Sequence, residues 1–563
     1  QVCNQRLIKT LAEKNIILSD VSYSKEISST DIDILIGPGA WANIITSEFQ
    51  RINDQLVAIK TQLGWTLVGS SDNKSSIVST MFVTSLPSQD IKQFWDLETM
   101  GILQPTEKLK EEEKDKEVLQ FFEDTVKRER GGRYCVKLPW IKDHPDLQTN
   151  RLQAEKRLHS TTRKLHKMNL YSGYDSVFKD WLNRGIIEKV TDHDKTSQGM
   201  KTHYLPHHAV VKEGSSTRIR PVFDASTKDV NGYCVNGCLE PGPNLIELIP
   251  VVLTNFRKYT FALTSDIEKA FLQISVDPTD RDMLRFLWWE SGEIIVYRHA
   301  RVVFGLSCSP FLLGAVIKSH LENVSPELQM VAETLKKSFY VDNCLTGVNQ
   351  LHEQEKFISE AHTLLKQGGF NLRGWAGNGI FTSDDHVENI LGLRWFCSRD
   401  EVCCNTSFLK LKPAELTRRT LLSCAQSIFD PIGITAPVAL VPKLILQKTW
   451  ALRAGWDDEL PEEMQKEYYM WAEQLEFLEM CTMSRRIFIN ESSTIHVFCD
   501  ASKDAFGSCI FLRTVDNGLV HVNLILAKSR VAPIKPMSMP RLELMGAITG
   551  VRLYLLALKC LDD

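Results

Sequence analysis

Two acidic residues raise the first chemical question. The stretch Phe261-Ala262-Leu263-Thr264-Ser265-Asp266 is an apolar run that ends in a carboxylate and leads, through Ile267-Glu268-Lys269-Ala270-Phe271, into a helical pattern. That places Asp266 at the carboxyl end of a strand, where ligands and metals gather in open α/β sheets. Seventy-six residues on, Phe339-Tyr340-Val341-Asp342-Asn343-Cys344-Leu345 holds an Asp-Asn pair between apolar flanks, the pattern of a hairpin with its polar pair at the turn. Alone, each has an ordinary explanation, because Asp caps helices and Asp-Asn favours turns. Together they offer more. Two carboxylates from separate strands can hold two Mg²⁺ ions about 3.5–4 Å apart, activating a hydroxyl nucleophile and steadying a leaving pyrophosphate. Magnesium suits such work because it prefers carboxylate and phosphate oxygens.

The elements that must position this pair belong to a large chain. At 563 residues it exceeds one ordinary core, so three or four domains are expected. Hydrophobic content of 43% and charged content of 24% exclude disordered, collagenous and coiled-coil classes. The best apolar run, Ile434 to Trp450, is broken by Lys443 and two prolines, so no spanning helix is expected. The chain starts at Gln1 without a charged-then-apolar leader, which argues against a signal peptide and for a piece of something longer. Fourteen cysteines, scattered singly and without C-x-x-C, read as reduced thiols of an intracellular protein. With a net charge of −4, any nucleic-acid contact must come from local basic patches.

Along the chain, Asp33 to Gly37, Leu56 to Ile59 and Gly64 to Gly69 read as short strands, with a polar loop over Ser70 to Ser76. Lys108 to Arg130 is a charged helix with apolar positions at Val118, Phe121, Phe122 and Val126, and Arg151 to Met168 is a second, basic one. Strands and helices alternate from Thr202. Glu459 to Met480 is amphipathic. Three strands follow, Ile495 to Cys499, Ser508 to Leu512 and His521 to Leu526, and then a helix from about Pro540, with Ser538 placed as its cap.

Four motifs now carry a resemblance. Tyr340-Val341-Asp342-Asn343 resembles the Y-x-D-D box of reverse transcriptases, and Asp266 to Ile274 resembles the family's first catalytic motif. Phe304-Gly305-Leu306-Ser307-Cys308-Ser309-Pro310-Phe311 is similar to the F-G-L…(S/A)-P segment, and Arg218-Ile219-Arg220-Pro221-Val222-Phe223-Asp224 to the R-x-V-x-D finger strand. Further segments narrow the likeness to Pao-type (BEL/Pao) long-terminal-repeat retrotransposons: Arg220 to Ser226, Gly242-Pro243-Asn244-Leu245, Gly369-Phe370-Asn371-Leu372-Arg373, Leu391 to Trp395 and Ile428 to Gly433. The chain thus resembles the reverse transcriptase region of a Pao-type Pol polyprotein.

The resemblance implies an α+β multidomain protein with a right-hand polymerase of fingers, palm and thumb. It assigns 1–85 to the C-terminal remnant of a retropepsin-like aspartic protease, 86–150 to a charged helical connector and 151–400 to fingers and palm. It assigns 401–488 to a helical thumb or connection and 489–563 to the first half of an RNase H-like domain. It implies an RNA-directed DNA polymerase that extends a primer on an RNA or DNA template from dNTPs with two Mg²⁺ ions, Mn²⁺ being a substitute. Asp266 and Asp342 would be the metal carboxylates and Ile267 a main-chain ligand. Arg220 would clamp the triphosphate, since its fork matches phosphate. Ala270 would line the nucleotide site, Phe271 would act as the steric gate against a 2′-hydroxyl, and Phe304 would border the pocket. The duplex would meet Lys201, Lys212, Arg218 and Arg220, with Trp375 and Trp395 beyond.

Asn343 departs from the common box, and its amide lacks the charge that would offset a metal. It motivates the competing reading of an impaired or silent transposon-derived nucleic-acid-binding protein. In the C-terminal part, Asp500 and Glu543 match the first two carboxylates of RNase H, and the resemblance implies an incomplete site without hydrolysis. Ile32 to Gly37 resembles the late strand of a retroviral-type aspartic protease and Gln62 to Gly69 the family's segment just after it, and the catalytic loop would lie upstream of Gln1. Asp31 and Asp33 read as turn or edge residues, and adjacent His207 and His208 as packing or solvent residues on opposite strand faces. Expected partners are template, primer, dNTPs and other Pol or Gag products, with no membrane. The expected location is the cytoplasm, in virus-like particles, with later nuclear entry.

Overall fold

The computed structural model describes residues 44–53, 56–62, 64–69, 105–190, 202–211, 218–245, 248–380, 386–406, 415–450, 452 and 455–561. Two compact units divide at residue 107. In the first, β1 (Ile45–Asn53), β2 (Leu56–Thr61) and β3 (Gly64–Gly69) form an antiparallel meander. Its tight second turn is closed by Thr61 Oγ1 donating to the Gly64 carbonyl at 2.8 Å. The strand expected over Asp33 to Gly37, with Asp31 and Asp33, lies outside the described residues.

The charged helix is α1 (Pro105–Thr125), which buries Val118 and Phe122. The helical connector stops there. Residues 126–150 instead contribute β4 (Lys127–Arg128), β5 (Tyr134–Val136) and an extended segment whose Leu138 and Leu147 are buried. Their apolar residues are too few for a period to show, and only pairing with distant strands makes them regular.

Then come the basic helix α2 (Arg151–Lys167), α3 (Tyr171–Asn183) and β6 (Ile187–Lys189). A hairpin of β7 (His207–Val211) and β8 (Ile219–Phe223) follows. After α4 (Ile249–Lys258), with Pro250 in its first turn, come β9 (Phe261–Ile267), β10 (Ser275–Val276), β11 (Arg285–Glu290) and β12 (Glu293–His299). Helices α5 (Ser309–Glu322) and α6 (Gln329–Lys336) lead to β13 (Phe339–Tyr340) and β14 (Asn343–Val348), then α7 (Gln354–Gln367) and β15 (Leu372–Gly377). These strands form small sheets, of which the decisive one has the order β13-β14-β9-β15. Its strands and helices share one core running from Val118 to Leu372.

A second sheet holds β16 (Val387–Ile390), β17 (Leu393–Phe396), β18 (Glu401–Cys404) and β19 (Met483–Ser484) in that order. The region 401–488 is therefore not wholly helical. Both of its ends are strands of this sheet, and α8 (Arg418–Ser427), α9 (Ala436–Thr449) and α10 (Glu462–Glu473) lie between them. The β18–β19 pairing spans about eighty residues of sequence, which no local pattern reveals. A capping box starts α8: the Thr420 amide donates to Thr417 Oγ1 at 3.2 Å and the Thr417 amide to Thr420 Oγ1 at 2.7 Å.

The last layer is the sheet β20 (Thr494–Ala501), β21 (Ala505–Asp516) and β22 (Leu519–Val531), with α11 (Met539–Leu561) packed on it. Contrary to the sequence expectation, α11 is long and apolar enough to cross a membrane, with a mean hydropathy of 1.6 over its most apolar stretch. In the sequence, Arg541, Glu543, Arg552 and Lys559 interrupt its apolar run. In the fold its Leu542, Gly546, Gly550, Leu553 and Ala557 are buried, while Leu544, Ile548, Val551 and Leu555 are exposed. No disulfide joins any of the thirteen described cysteines.

Candidate active site

β9 is flanked on both sides, and that placement defines the surroundings of Asp266. In antiparallel register, Asn343 of β14 lies opposite Asp266 on one side and Arg373 of β15 on the other. The Ile267 amide donates to the Asp342 carbonyl at 2.9 Å, which brings the turn bearing Asp342 alongside the end of β9. Asp266 and Asp342 thus line one cavity of about 300 Å³, together with Arg220, Ile267, Lys269, Ala270, Phe304 and Arg373.

The hairpin turn differs by one residue from its sequence reading. Tyr340 pairs with Asn343, so Val341 and Asp342 form the turn and Asn343 opens the returning strand. Val341 adopts φ 57°, a left-handed conformation that costs a β-branched residue on the order of 1–3 kcal/mol. The Asn343 amide nitrogen donates to Asp342 Oδ1 at 3.2 Å, so the residue that departs from the common box touches the carboxylate it adjoins.

Sequence reasoning missed Arg373. Its Nε donates to Asp266 Oδ2 at 3.0 Å, with both side chains partly open to solvent. Only the β9–β15 register places Arg373 opposite Asp266. Lys269, with φ 49°, also enters the cavity, and its Nζ lies 3.4 Å from Asp180. Glu268, by contrast, is tied to Asn371, whose side-chain amide donates to Glu268 Oε2 at 3.0 Å.

The remaining expected residues divide. Arg220 is exposed on β8 and lines the cavity. Phe304 is 46% exposed and forms part of the wall. It is held there by Gly305, at φ 113°, where a Cβ would collide with the Phe223 carbonyl of β8. Phe271 is buried beneath it, edge-on with ring centroids 4.6 Å apart, and does not itself line the cavity. Of the expected duplex contacts, Arg218 is exposed, whereas Lys201 and Lys212 lie outside the described residues. Trp395 is corrected outright: it is fully buried, edge-on to Phe256, with its indole N–H on Asp400, and cannot meet a nucleic acid. Trp375 packs partly buried against the main core.

Volume alone does not select this cavity. A larger one of about 580 Å³ lies beside Tyr171 and Trp288, but its acids are already matched, Asp175 with Lys179 and Glu290 with Lys189, each at 2.7 Å. The donor set around Asp266 fits a hard divalent ion, with two carboxylates and nearby carbonyl and amide oxygens. Among the described residues no group of three or more His, Cys, Asp or Glu could hold a metal, so two acids and neutral oxygens are what the site offers.

The expected RNase H pair is arranged differently. Asp500 is exposed on β20, and its Oδ1 accepts only the neighbouring Ala501 amide among its hydrogen bonds, at 2.9 Å. The helix α11 crosses above it at Gly546, where a Cβ would stand 3.3 Å from the Asp500 carbonyl, and Ser508 Oγ donates to the Gly546 carbonyl at 2.7 Å. Glu543, exposed, lies one helical turn before Gly546 on the same side of the helix.

Comparisons with known proteins bear on the fold and on the C-terminal domain. Residues 417–562 match the family described as Pao retrotransposon-like RNaseH-like domain. The fold resembles a foamy viral protease–reverse transcriptase solved with double-stranded DNA, at 16% identity and a TM-score of 0.51, over 90% of this chain and 81% of that one. It equally resembles a foamy viral protease–reverse transcriptase solved with an RNA/DNA hybrid, at 15% identity and a TM-score of 0.51, where it covers 90% of this chain and 62% of that one. No curated protein sequence matches the chain. Residues 417–562 are thus similar to the Pao retrotransposon-like RNaseH-like domain, and they stand within an α+β fold similar to that of protease–reverse transcriptases.

Proposed function

We propose that the chain is an RNA-directed DNA polymerase, with residues 151–400 as fingers and palm. The observation that carries this reading is the meeting of Asp266 and Asp342, from separate strands, in one cavity that Arg220 also enters. The nucleic acids in the two structural relatives support a primer–template as the partner.

Asp266, Asp342 and the Ile267 main chain would hold Mg²⁺, which when bound supplies positive charge at the attacking 3′-hydroxyl and the departing pyrophosphate. The chain's own groups do the rest. Arg220, exposed at the cavity rim, takes the triphosphate oxygens through its fork of donors. Phe304 forms the wall against the incoming sugar, and Phe271 supports that ring from below, so the pair acts as the gate against a 2′-hydroxyl. Arg373 offsets the charge of Asp266 through Oδ2, and that contact would compete with a metal for the carboxylate.

A second reading, an impaired nucleic-acid-binding protein, draws on Asn343 in place of a third acid and on the Arg373 contact. Mg²⁺-dependent incorporation of labelled dNTP on a primer–template decides between them. Incorporation that is lost in Asp266→Ala supports the polymerase. A chain that binds primer–template but never extends it supports the second reading.

A further inference from the structure

Helix α2 concentrates charge against the trend of the chain. It carries Arg151, Lys156, Arg157, Arg163, Lys164 and Lys167 against a single Glu155, in a protein whose net charge is −4. Its buried Ala154, Leu158 and Leu165 fall on one side at about 100° per residue. Lys156, Arg163 and Lys167 form a row on the opposite side, with Arg157 and Lys164 adjoining it, and all five are exposed. Arg151 is matched by Glu155 at 2.9 Å and Arg157 lies 3.5 Å from Asp224. Lys156, Arg163, Lys164 and Lys167 meet no carboxylate among the described residues. Like charges three or four residues apart cost an isolated helix a few tenths of a kcal/mol each. A merely solvated face would intersperse acids, as α1 does.

The second observation is a groove. Between α2 and β7 lies a cavity of about 260 Å³ lined by Arg157, Ser160, Lys164, His208 and one acid, Asp224, which Arg157 matches. Thr161 Oγ1 donates to the His207 carbonyl at 3.0 Å, which fixes the helix to the hairpin. The same hairpin continues to the candidate active site, since β7 pairs with β8 and Arg220 of β8 enters the Asp266 cavity. With Asp224 matched by Arg157, Lys164 and the Ser160 hydroxyl remain at the groove to meet a phosphate diester, and the row of cations beside it matches a series of them.

We propose that the exposed face of α2 and its groove bind the sugar–phosphate backbone of the nucleic acid. Lys164 and the Ser160 hydroxyl seat one phosphate, and Lys156, Arg163 and Lys167 follow the strand along the helix. The course of the strand from this face to the Asp266 cavity rests on the polymerase reading; the binding itself does not.

The test uses the full chain in EDTA, so that no extension occurs, with a labelled primer–template carrying a 5′ overhang and a blunt duplex. Fluorescence anisotropy over a salt series gives the dependence of affinity on salt. In Lys156→Gln/Arg163→Gln/Lys167→Gln, three lost phosphate contacts should lower the log–log salt slope by about two to three, and affinity at about 0.1 M salt by tenfold or more. A loss confined to the overhang substrate identifies a single strand on the helix, and an equal loss on both identifies a duplex. Removal of the same charge elsewhere, in Lys318→Gln/Lys356→Gln/Lys366→Gln, should leave the slope unchanged. An unchanged slope in the α2 variant, or an equal drop in both variants, overturns the proposal. Failure of the polymerase reading shows separately, as wild-type chain that binds with the full slope yet incorporates no dNTP with Mg²⁺.

Discussion

Asp266 and Asp500 begin alike, each near the end of an apolar strand, and finish in different surroundings. β9 is interior to its sheet, so Asp266 receives a partner from each side, Asn343 and Arg373, and a turn brings Asp342 to the same cavity. β20 is paired only with β21, where Gly507 lies opposite Asp500 and offers no side chain. The contrast teaches that a carboxylate becomes a site through its neighbouring strands. An interior strand gathers chemistry from both flanks, whereas an edge strand leaves its acid to water and to whatever pairs there next.

The largest expected effect tests that contrast directly. Asp342→Ala should lower Mg²⁺-dependent dNTP incorporation by a factor of about a thousand or more, because metal-mediated charge stabilisation is worth several kcal/mol. Asp500→Ala, measured in the same primer-extension assay, should leave the rate within about twofold. Equal losses would mean that the two regions act as one site and would erase the distinction.

How much of this was legible in the sequence follows the same division. Asp266 and Asp342 were found because each ends an apolar run, and the β20–β22 strands because they alternate over many residues. Arg373 was not, since its partnership depends on which residue of β15 falls opposite Asp266, and register is a property of the assembled sheet. Trp395 was misread as a surface aromatic because the acceptor for its indole N–H, Asp400, sits beyond a tight turn, and only the fold shows the ring enclosed. The hairpin turn was displaced by one residue because Asp-Asn is the better turn former, whereas the strand pairing forces Val341 into it.

The next effect probes the neutral neighbour on β14. Asn343→Asp should raise incorporation roughly tenfold, because a carboxylate oxygen serves a cation about twice as strongly as a neutral one. It also removes the amide hydrogen bond now held by Asp342. Primer extension under limiting Mg²⁺ is the measurement, and an unchanged rate would mean that the site is complete with Asn.

The opposite flank gives a smaller effect. Arg373 holds a positive charge against Asp266 in a half-exposed setting, where such a pair is worth up to about 1 kcal/mol. Arg373→Gln should therefore lower, up to about fivefold, the Mg²⁺ concentration that half-maximally shifts the melting temperature. Asp500 meets no such counter-ion among the described residues, so Asp500→Asn should leave that titration as it is. A wild-type response in Arg373→Gln would show that the guanidinium leaves Asp266 without cost.

The smallest effect separates the two regions by acid. His299 is fully buried among Phe223, Phe286 and Trp181, and neither ring nitrogen has a hydrogen-bond partner. Burial, reinforced by nearby His207, depresses its pKa to about 3. Burial likewise lowers His207 to about 4, with a backbone hydrogen bond to Leu287 opposing and His208 adding to the shift. The unfolded chain takes up these protons near pH 6.5 and the folded chain does not, so stability is full above about 6.5 and falls as pH drops toward 4 and 3. Acid should loosen the core around β7, β11 and β12 before the C-terminal layer, whose His496 is exposed and whose His521 is half-buried. His299→Phe removes the most strongly depressed of these histidines together with an unsatisfied buried imidazole. Near pH 5 it should gain about 1 kcal/mol, the low end for such a group because the larger ring must be fitted into a full core. Denaturant melts of the variant and wild type at pH 7 and pH 5 read the difference. A variant that loses as much stability on acidification as the wild type would move the acid-sensitive point away from this cluster and remove the basis for ranking the two regions.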